Sequence, residues 1–437
     1  GHEMWYIVPE GVNILEVKYR ETGYDTEFAG SFHCNDPFLN ELWKRSARTL
    51  YITMRDNYMD CPERERAQWW GDEVNELGEA FYALSTSSHQ LAVKGIHELM
   101  NWQRADGSLF APVPAGNWSK ELPLQILASV GWYGFYTQYY YSGDSTFVPA
   151  IYDRLHRYLH ETWQVDKSGF PIERSGEWSW GDWGEQIDMG VLTNCWYYLA
   201  LKAEKEFALQ LGKKADAEEI SRMMYSIEKC FNTKYWTGTA YRSPGYRGEN
   251  DDRAQAMAVL SGLAPKDKYP AILKLLKKEY HASPYMEKYV LEALFHMDAP
   301  DAALQRMKDR YAGMLSYKEY TTLFEGWGVG AEGFGGGTIN HAWSGGPLTL
   351  LSQKVCGIEP TSPGFKTFRV KPQMGSLTEA SATVETHYGK IKVDLKKSGR
   401  KILMEIQVPE QTGAVVISPK GKVQEVGSGT HKITCPF

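Results

Sequence analysis

From Asp36 to Cys356 the chain repeats one signal, apolar residues at helical spacing broken by short turn-forming clusters, and then drops it for good. That recurrence restricts the fold more than any other feature. The spacing predicts helices over 36–55, 72–86, 88–104, 121–142, 146–163, 187–211, 214–232, 251–262, 266–279, 285–297, 300–315 and 342–356. Breakers fall between them at Asp106-Gly107, Ser142-Gly143-Asp144, Ser168-Gly169, Ser243-Pro244-Gly245, Ala264-Pro265 and Ala299-Pro300. Stretches such as Val130-Gly131-Trp132-Tyr133-Gly134-Phe135-Tyr136 carry small or aromatic residues on every side, so some helices are expected to be buried all round. Twelve helices of alternating exposure predict six helical hairpins closed into a mainly α (α/α)6 barrel. A superhelical solenoid is the alternative, and the sequence lacks the period of roughly 34 to 47 residues that it requires.

The flanks differ. Trp5-Tyr6-Ile7-Val8 and Ile14-Leu15-Glu16-Val17-Lys18-Tyr19 alternate as strands do, so residues 1–32 read as a β-strand and linker segment, the remnant of an upstream β domain. The barrel is expected over 33–357. Beyond Gly357-Ile358-Glu359-Pro360, strand candidates include 368–370, 382–386, 390–395, 401–408, 413–417 and 422–426, which predict an antiparallel β-sandwich over 358–437. Loops 105–120, 164–186, 233–250 and 316–341 are long and alternate with short connections, which gathers them at one end of a hairpin barrel.

With 437 residues the chain has room for one large domain and smaller ones. A net charge of −6 and a pI near 6.1 argue against nucleic acid or an anionic membrane as partner. No apolar run reaches the roughly 18 residues that span a bilayer. No signal-peptide core is evident, but Gly1-His2 has the look of a cloning scar and whether the chain is a piece of a longer protein stays open, so this absence does not locate the parent. These features fit a soluble protein of the bacterial periplasm or cytoplasm, with compartment and oligomeric state open. The six cysteines, Cys34, Cys61, Cys195, Cys230, Cys356 and Cys435, are scattered without metal-ligand spacing, so neither a zinc site nor a dense disulfide framework is expected, and no cofactor is required.

The chemistry concentrates in Asp60-Cys61-Pro62-Glu63-Arg64-Glu65-Arg66-Ala67-Gln68-Trp69-Trp70-Gly71-Asp72. Pro62 disfavours helix at Cys61, and Asp72-Glu73 are placed to cap a helix running to Leu84. If the segment makes a helical turn, Trp69 shares a face with Glu65. An ion-pair cluster is the plain structural reading of such a run. A second stretch, Thr321-Thr322-Leu323-Phe324-Glu325-Gly326-Trp327, holds an acid among aromatics, and a glycine-rich run then leads to Asn340-His341-Ala342-Trp343. His341 read alone is a hydrogen-bonded helix-start residue. A third, Glu177-Trp178-Ser179-Trp180-Gly181-Asp182-Trp183, suits either a sugar-binding rim or an apolar plug. Asn117-Trp118-Ser119 is a glycosylation sequon whose meaning depends on the host. Two acids on separate loops amid aromatics suit glycoside hydrolysis, where an acid protonates the leaving oxygen and a second carboxylate works on the opposite ring face. The glycine-lysine loop of phosphoryl transfer and the Gly-x-Ser-x-Gly of acyl hydrolases are missing.

The first stretch resembles the D-C-P-x-R-(D)-E-R-x-x-W-x-G-D hallmark of α-L-rhamnosidases of glycoside hydrolase family 78. Thr321-Thr322-x-Phe324-Glu325-x-Trp327 is similar to that family's T-T-x-W-E-x-W, Asn340-His341 to its later N-H, and Gly181-Asp182-Trp183 to its G-D-W. The resemblance implies an inverting glycosidase acting on a rhamnosylated glycan or glycoside. It makes Glu65 the general acid and Glu325 the general base, with Asp60, Arg64, Trp69, Asp72, Asp182, Trp183, Trp327 and His341 around the sugar. Three features depart from the pattern. The first motif is one residue short, Phe324 stands for a tryptophan, and the interval from Glu325 to His341 is short and glycine-rich.

Overall fold

The computed structural model of the chain describes residues 4–114, 120–174, 176–329 and 337–436. The sequon at 117–119 and most of the glycine run, 330–336, lie outside the described residues. The helices are α1 (Pro37–Ile52), α2 (Trp70–Ala83), α3 (His89–Asn101), α4 (Pro123–Val130), α5 (Thr137–Ser142), α6 (Val148–Arg157), α7 (Met189–Gln210), α8 (Lys214–Tyr235), α9 (Asp252–Ser261), α10 (Tyr269–Leu276), α11 (Pro284–His296), α12 (Pro300–Ser316) and α13 (Gly346–Leu350). A π turn at Trp132–Tyr136 joins α4 to α5, so the described residues form twelve helical rods, one for each expected helix.

Six of these rods neighbour one another in a ring, α2, α4, α7, α9, α11, α13 and back to α2, while the alternate rods pack outside. This is the (α/α)6 barrel of six hairpins. Burial explains the division. Every residue of α2 and of α4 is buried, whereas α8 and α12 bury one stripe and expose the rest. Closure is fixed by polar groups as well as by packing. Asn75 on α2 donates to the backbone carbonyls of Tyr285 (3.1 Å) and Trp343 (3.0 Å) and accepts from the Tyr289 hydroxyl (3.1 Å). One side chain thus ties the first inner helix to the last two. Because the chain returns through outer helices, the segments entering inner helices all open at one end of the ring.

Among the described residues, nine strands form two sheets. The five-stranded sheet has the order β1 (Ser31–Cys34), β4 (Glu379–Thr386), β5 (Gly389–Ser398), β6 (Lys401–Val408), β9 (Gly429–Pro436). The four-stranded sheet has the order β2 (Ile358–Pro360), β3 (Thr367–Val370), β7 (Gly413–Ile417), β8 (Val423–Val426). The pairings are antiparallel as expected except that β3 and β7 run parallel, with Phe368 opposite Ala414. One expectation is corrected. Residues 5–19 form no ladder despite their alternation, and Trp5, Ile7 and Leu15 lie exposed, because a strand pattern needs an edge to pair with. The strand that does form before the barrel, β1, pairs with β4 at Ser31 and Thr383 and carries the chain across the expected boundary at residue 32.

Asn75→Ala leaves Tyr289 and two buried carbonyls without their partner, so we expect a loss of about 1–3 kcal/mol in urea unfolding, with the helical circular dichroism of the folded state retained.

Candidate active site

Residues 53–69 enter α2 as a clasped loop. Asp60 N–H donates to the Ala67 carbonyl (3.0 Å), and Ala67 N–H donates back to Asp60 Oδ1 (3.0 Å). Residues 62–65 make turns rather than a helix, with Arg66 in the left-handed region at φ 54°. The helical face expected to unite Glu65 with Trp69 therefore does not form, although both residues still reach the same cavity. Nor do Asp72 and Glu73 cap α2. The helix starts two residues earlier than expected, at Trp70, with Trp69 as its N-cap residue, and Asp72 lies inside the first turn. There the helix dipole favours its charge. Gly71 lets the Gln125 side chain of the neighbouring inner helix pack against the start of α2, where a Cβ would force that side chain to move.

The loops at this end enclose a cavity of about 320 Å³. Asp60, Arg64, Glu65, Trp69 and Asp72 reach it from the first loop and α2, Trp183 from the third loop, and Glu325 and His341 from the sixth. Trp178 and Trp180 complete the aromatic wall, with Trp180 stacked on Trp343 at 6.0 Å between centroids. Lys120, Leu122, Gln125 and Trp343 also line it and were not singled out in the sequence. Leu122 carries the one detectable trace, Pro123 after it, and its backbone is held at φ 46°, a costly conformation for a leucine that aims it inward.

Two expected residues stand elsewhere. Asp182 is buried behind the wall, where it takes Arg253 Nη1 (3.1 Å), Ser283 N–H (2.8 Å) and the Ser283 hydroxyl. Its carboxylate holds the tryptophan loop and is not among the cavity-lining groups. Trp327 points away too, donating Nε1–H to the Ala282 carbonyl (2.9 Å) with its ring edge-on to Tyr311.

The two central acids differ in setting. Arg64 links them: Nε donates to Glu65 Oε2 at 2.8 Å and Nη2 lies 3.3 Å from Glu325 Oε2. Burial pushes Asp60 up to about 8, helped by Asp72 and by its hydrogen bond with Glu65 against the pull of His341. Burial also pushes Glu65 up, but hydrogen bonds from Arg64 and Asp60 outweigh it and bring the group to about 2. The Asp60–Glu65 pair therefore holds one proton at neutral pH, on the Asp60 side. Glu325 is buried and anchored, its Oε2 accepting from both Thr338 N–H and Thr338 Oγ1 at 3.1 Å.

Thr338 also meets His341 Nδ1 at 2.8 Å, and His341 Nε2 lies 2.7 Å from Asp72 Oδ1. A hydroxyl that gives its proton to Glu325 must accept from Nδ1, so both imidazole nitrogens carry protons. Burial lowers the pKa of His341, yet the hydrogen bond and charge of Asp72 raise it overall, in agreement with that count. Three buried polar atoms in the wall have no partner among the described residues: Trp180 Nε1, Trp183 Nε1 and Gln125 Oε1. Flat aromatic faces, two spare donors, a spare acceptor and two carboxylates are a set suited to a hydroxylated ring.

Known proteins share this architecture. Residues 27–355 match the family described as the bacterial alpha-L-rhamnosidase six-hairpin glycosidase domain, and residues 357–432 match the bacterial alpha-L-rhamnosidase C-terminal domain. An alpha-L-rhamnosidase of Formosa agariphila is 22% identical over 92% of this chain and 45% of its own length. An alpha-L-rhamnosidase structure from Dictyoglumus thermophilum superposes with a TM-score of 0.83 at 19% identity, covering 98% of this chain and 53% of that one. A Streptomyces avermitilis alpha-L-rhamnosidase, solved with L-rhamnose, gives 0.79 at 20% identity over 94% of this chain and 42% of that one. The chain spans about half the length of these relatives.

The shift of Asp60 has a stability consequence of definite sign. Its folded pKa of about 8 stands above the ordinary 3.8, so the folded state holds a proton that the unfolded chain has lost between those values. The resulting stabilisation is full below about 3.8 and is lost as pH rises through about 8. Asp60→Asn should therefore flatten the decline in stability across that window relative to the wild type, measured by urea unfolding at a series of pH values. Parallel curves for the two proteins would count against the bound proton.

Proposed function

Because the chain belongs to the bacterial alpha-L-rhamnosidase six-hairpin glycosidase family, we propose that it is an inverting glycoside hydrolase that removes a terminal α-L-rhamnosyl residue from a glycan or glycoside. The observation that carries this reading is the placing of Glu65 and Glu325 on opposite loops of one aromatic cavity, bridged by a single guanidinium. An inverting pair stands roughly 6.5–9.5 Å apart to leave room for water. Arg64 between the two carboxylates keeps them from touching and tethers both to one site.

Glu325 is the base. The two hydrogen bonds from Thr338 keep it aimed, so it can take a proton from water as the water oxygen bonds to the anomeric carbon. Glu65 is the acid that protonates the departing glycosidic oxygen. In the free site it is ionised against Arg64, and the proton rests on Asp60, hydrogen-bonded to it. Sugar entering the cavity competes for Arg64, which weakens the interaction holding Glu65 ionised and draws the proton across. Trp69 and Trp183 offer faces to the ring carbons, and the unpartnered indole N–H groups of Trp180 and Trp183 donate to its hydroxyls. Asp60, Asp72 and His341 hold further hydroxyls. Asp182 and Trp327 shape the loops from behind.

Glu65→Gln and Glu325→Gln should each lower kcat on an alkyl α-L-rhamnoside by about 10²–10⁴-fold. Turnover close to wild type in either variant would remove that residue from its role. Proton NMR of the first-formed sugar should show the β anomer; α first would overturn inversion. An inert wild type that binds rhamnose in calorimetry would leave a binding protein.

A further inference from the structure

Outside the cavity, one cluster brings together three side chains able to ligate a metal. α6 runs directly into a π turn at Tyr158–Thr162, and this continuous rod carries His156 and His160 four residues apart. Their rings stack at 4.1 Å and both face Glu204 on α7. His156 Nδ1 lies 2.7 Å from Glu204 Oε1, and His160 Nε2 lies 2.9 Å from Oε2 and 3.1 Å from Oε1. We propose that His156, His160 and Glu204 form a binding site for a zinc-type divalent transition-metal ion that pins α6 to α7.

Three observations carry the assignment. The donor set is two imidazole nitrogens and one carboxylate, which suits zinc and its borderline neighbours rather than calcium or magnesium. The donor atoms all lie within 4.8 Å of one another, and the two nitrogen–oxygen approaches are slightly shorter than the ~3.3 Å separating ligands in a tetrahedron with bonds near 2.0 Å, so a small outward movement seats the ion. Glu204 is fully buried, and among the described residues its ion pairs are to these two histidines, with neither lysine nor arginine among them. The surroundings add to the attraction, because Asp216 and Glu219 on α8 lie close enough to act on His156. His156 is half-buried, with 34% of its side chain exposed, so water can complete the coordination. π turns recur at functional sites in helices, and this one lies where the second histidine must turn toward α7.

Two other groupings fare worse. Asp60, Cys61 and Glu65 belong to the site already described, and Glu249, Glu279 and His281 lie at the surface around an exposed glutamate.

The test uses the full chain, free of any affinity tag and stripped with chelator. Equilibrium dialysis against Zn²⁺ should show one saturable site, and Co²⁺ in its place should give visible d–d bands from imidazole coordination. His156→Asn, whose position is partly exposed and tolerant, and Glu204→Gln should each weaken binding more than about tenfold. Zn²⁺ should raise the melting temperature of the wild type and leave both variants unmoved. No saturable binding by the wild type, or binding undiminished in the two variants, overturns the proposal. If Glu204→Gln fails to fold, His156→Asn decides alone.

Discussion

The site depends on one buried chain of hydrogen bonds, Asp72 to His341 to Thr338 to Glu325. Asp72 belongs to the first turn of α2, the first inner helix, and the other three belong to the segment that leads into α13, the last. The chain therefore crosses the seam where the barrel closes. Its polarity is set throughout by proton count. Asp72 and Glu325 only accept, so the imidazole between them must donate at both nitrogens and remain cationic. A buried cation between two buried carboxylates satisfies charges that would each be costly alone. The same arrangement holds the Glu325 carboxylate in one orientation at the cavity. Glu63 on the first loop accepts from Ile339 N–H at 2.9 Å, so the loop bearing Glu65 is keyed to the segment bearing Glu325.

A second buried charge organises the opposite wall. Arg253, at the start of α9, donates to Asp251 Oδ1 (2.6 Å), Asp182 Oδ2 (3.1 Å) and the carbonyls of Glu185 (2.7 Å) and Gln186 (2.9 Å). One guanidinium fork thus closes most of the loop that displays Trp178, Trp180 and Trp183. Large flat side chains at a water-filled mouth would otherwise collapse on one another. Here the backbone beneath them is held by groups with no spare valence, and the rings keep their spacing.

The contrast between Asp72 and Asp182 shows what could be read from the chain. Helix count and order were legible, because burial imposes a period on the inner rods and the outer ones show a stripe. That Glu65 and Glu325 reach one cavity was legible too, because each stands near aromatics on a loop at the same end of the barrel. The partner of a carboxylate is another matter. Asp182 between tryptophans has the appearance of a sugar ligand, yet Arg253, 71 residues later, takes it. Asp72 was expected to cap a helix and instead reaches His341. Likewise the alternation at residues 5–19 is a real strand signal, but a strand exists only where an edge accepts it. His156 and His160 were passed over for the same reason, since their third partner lies on a different helix.

Two of the three departures from the family pattern find a physical account in the fold. Phe324 is fully buried against Tyr317 and Tyr320, with ring centroids 5.6 Å away in each case, and it faces away from the cavity. The smaller ring therefore bears on the packing behind Glu325 and is not part of the cavity wall. The shortened first motif falls in the loop clasped by Asp60 and Ala67. A loop with its ends fixed by two reciprocal hydrogen bonds can lose a residue if one position accepts a tight turn, and Arg66 at φ 54° supplies it. What the clasp keeps is the nearness of Asp60 to Glu65, which bring a carboxylate oxygen each within 4.8 Å of one another.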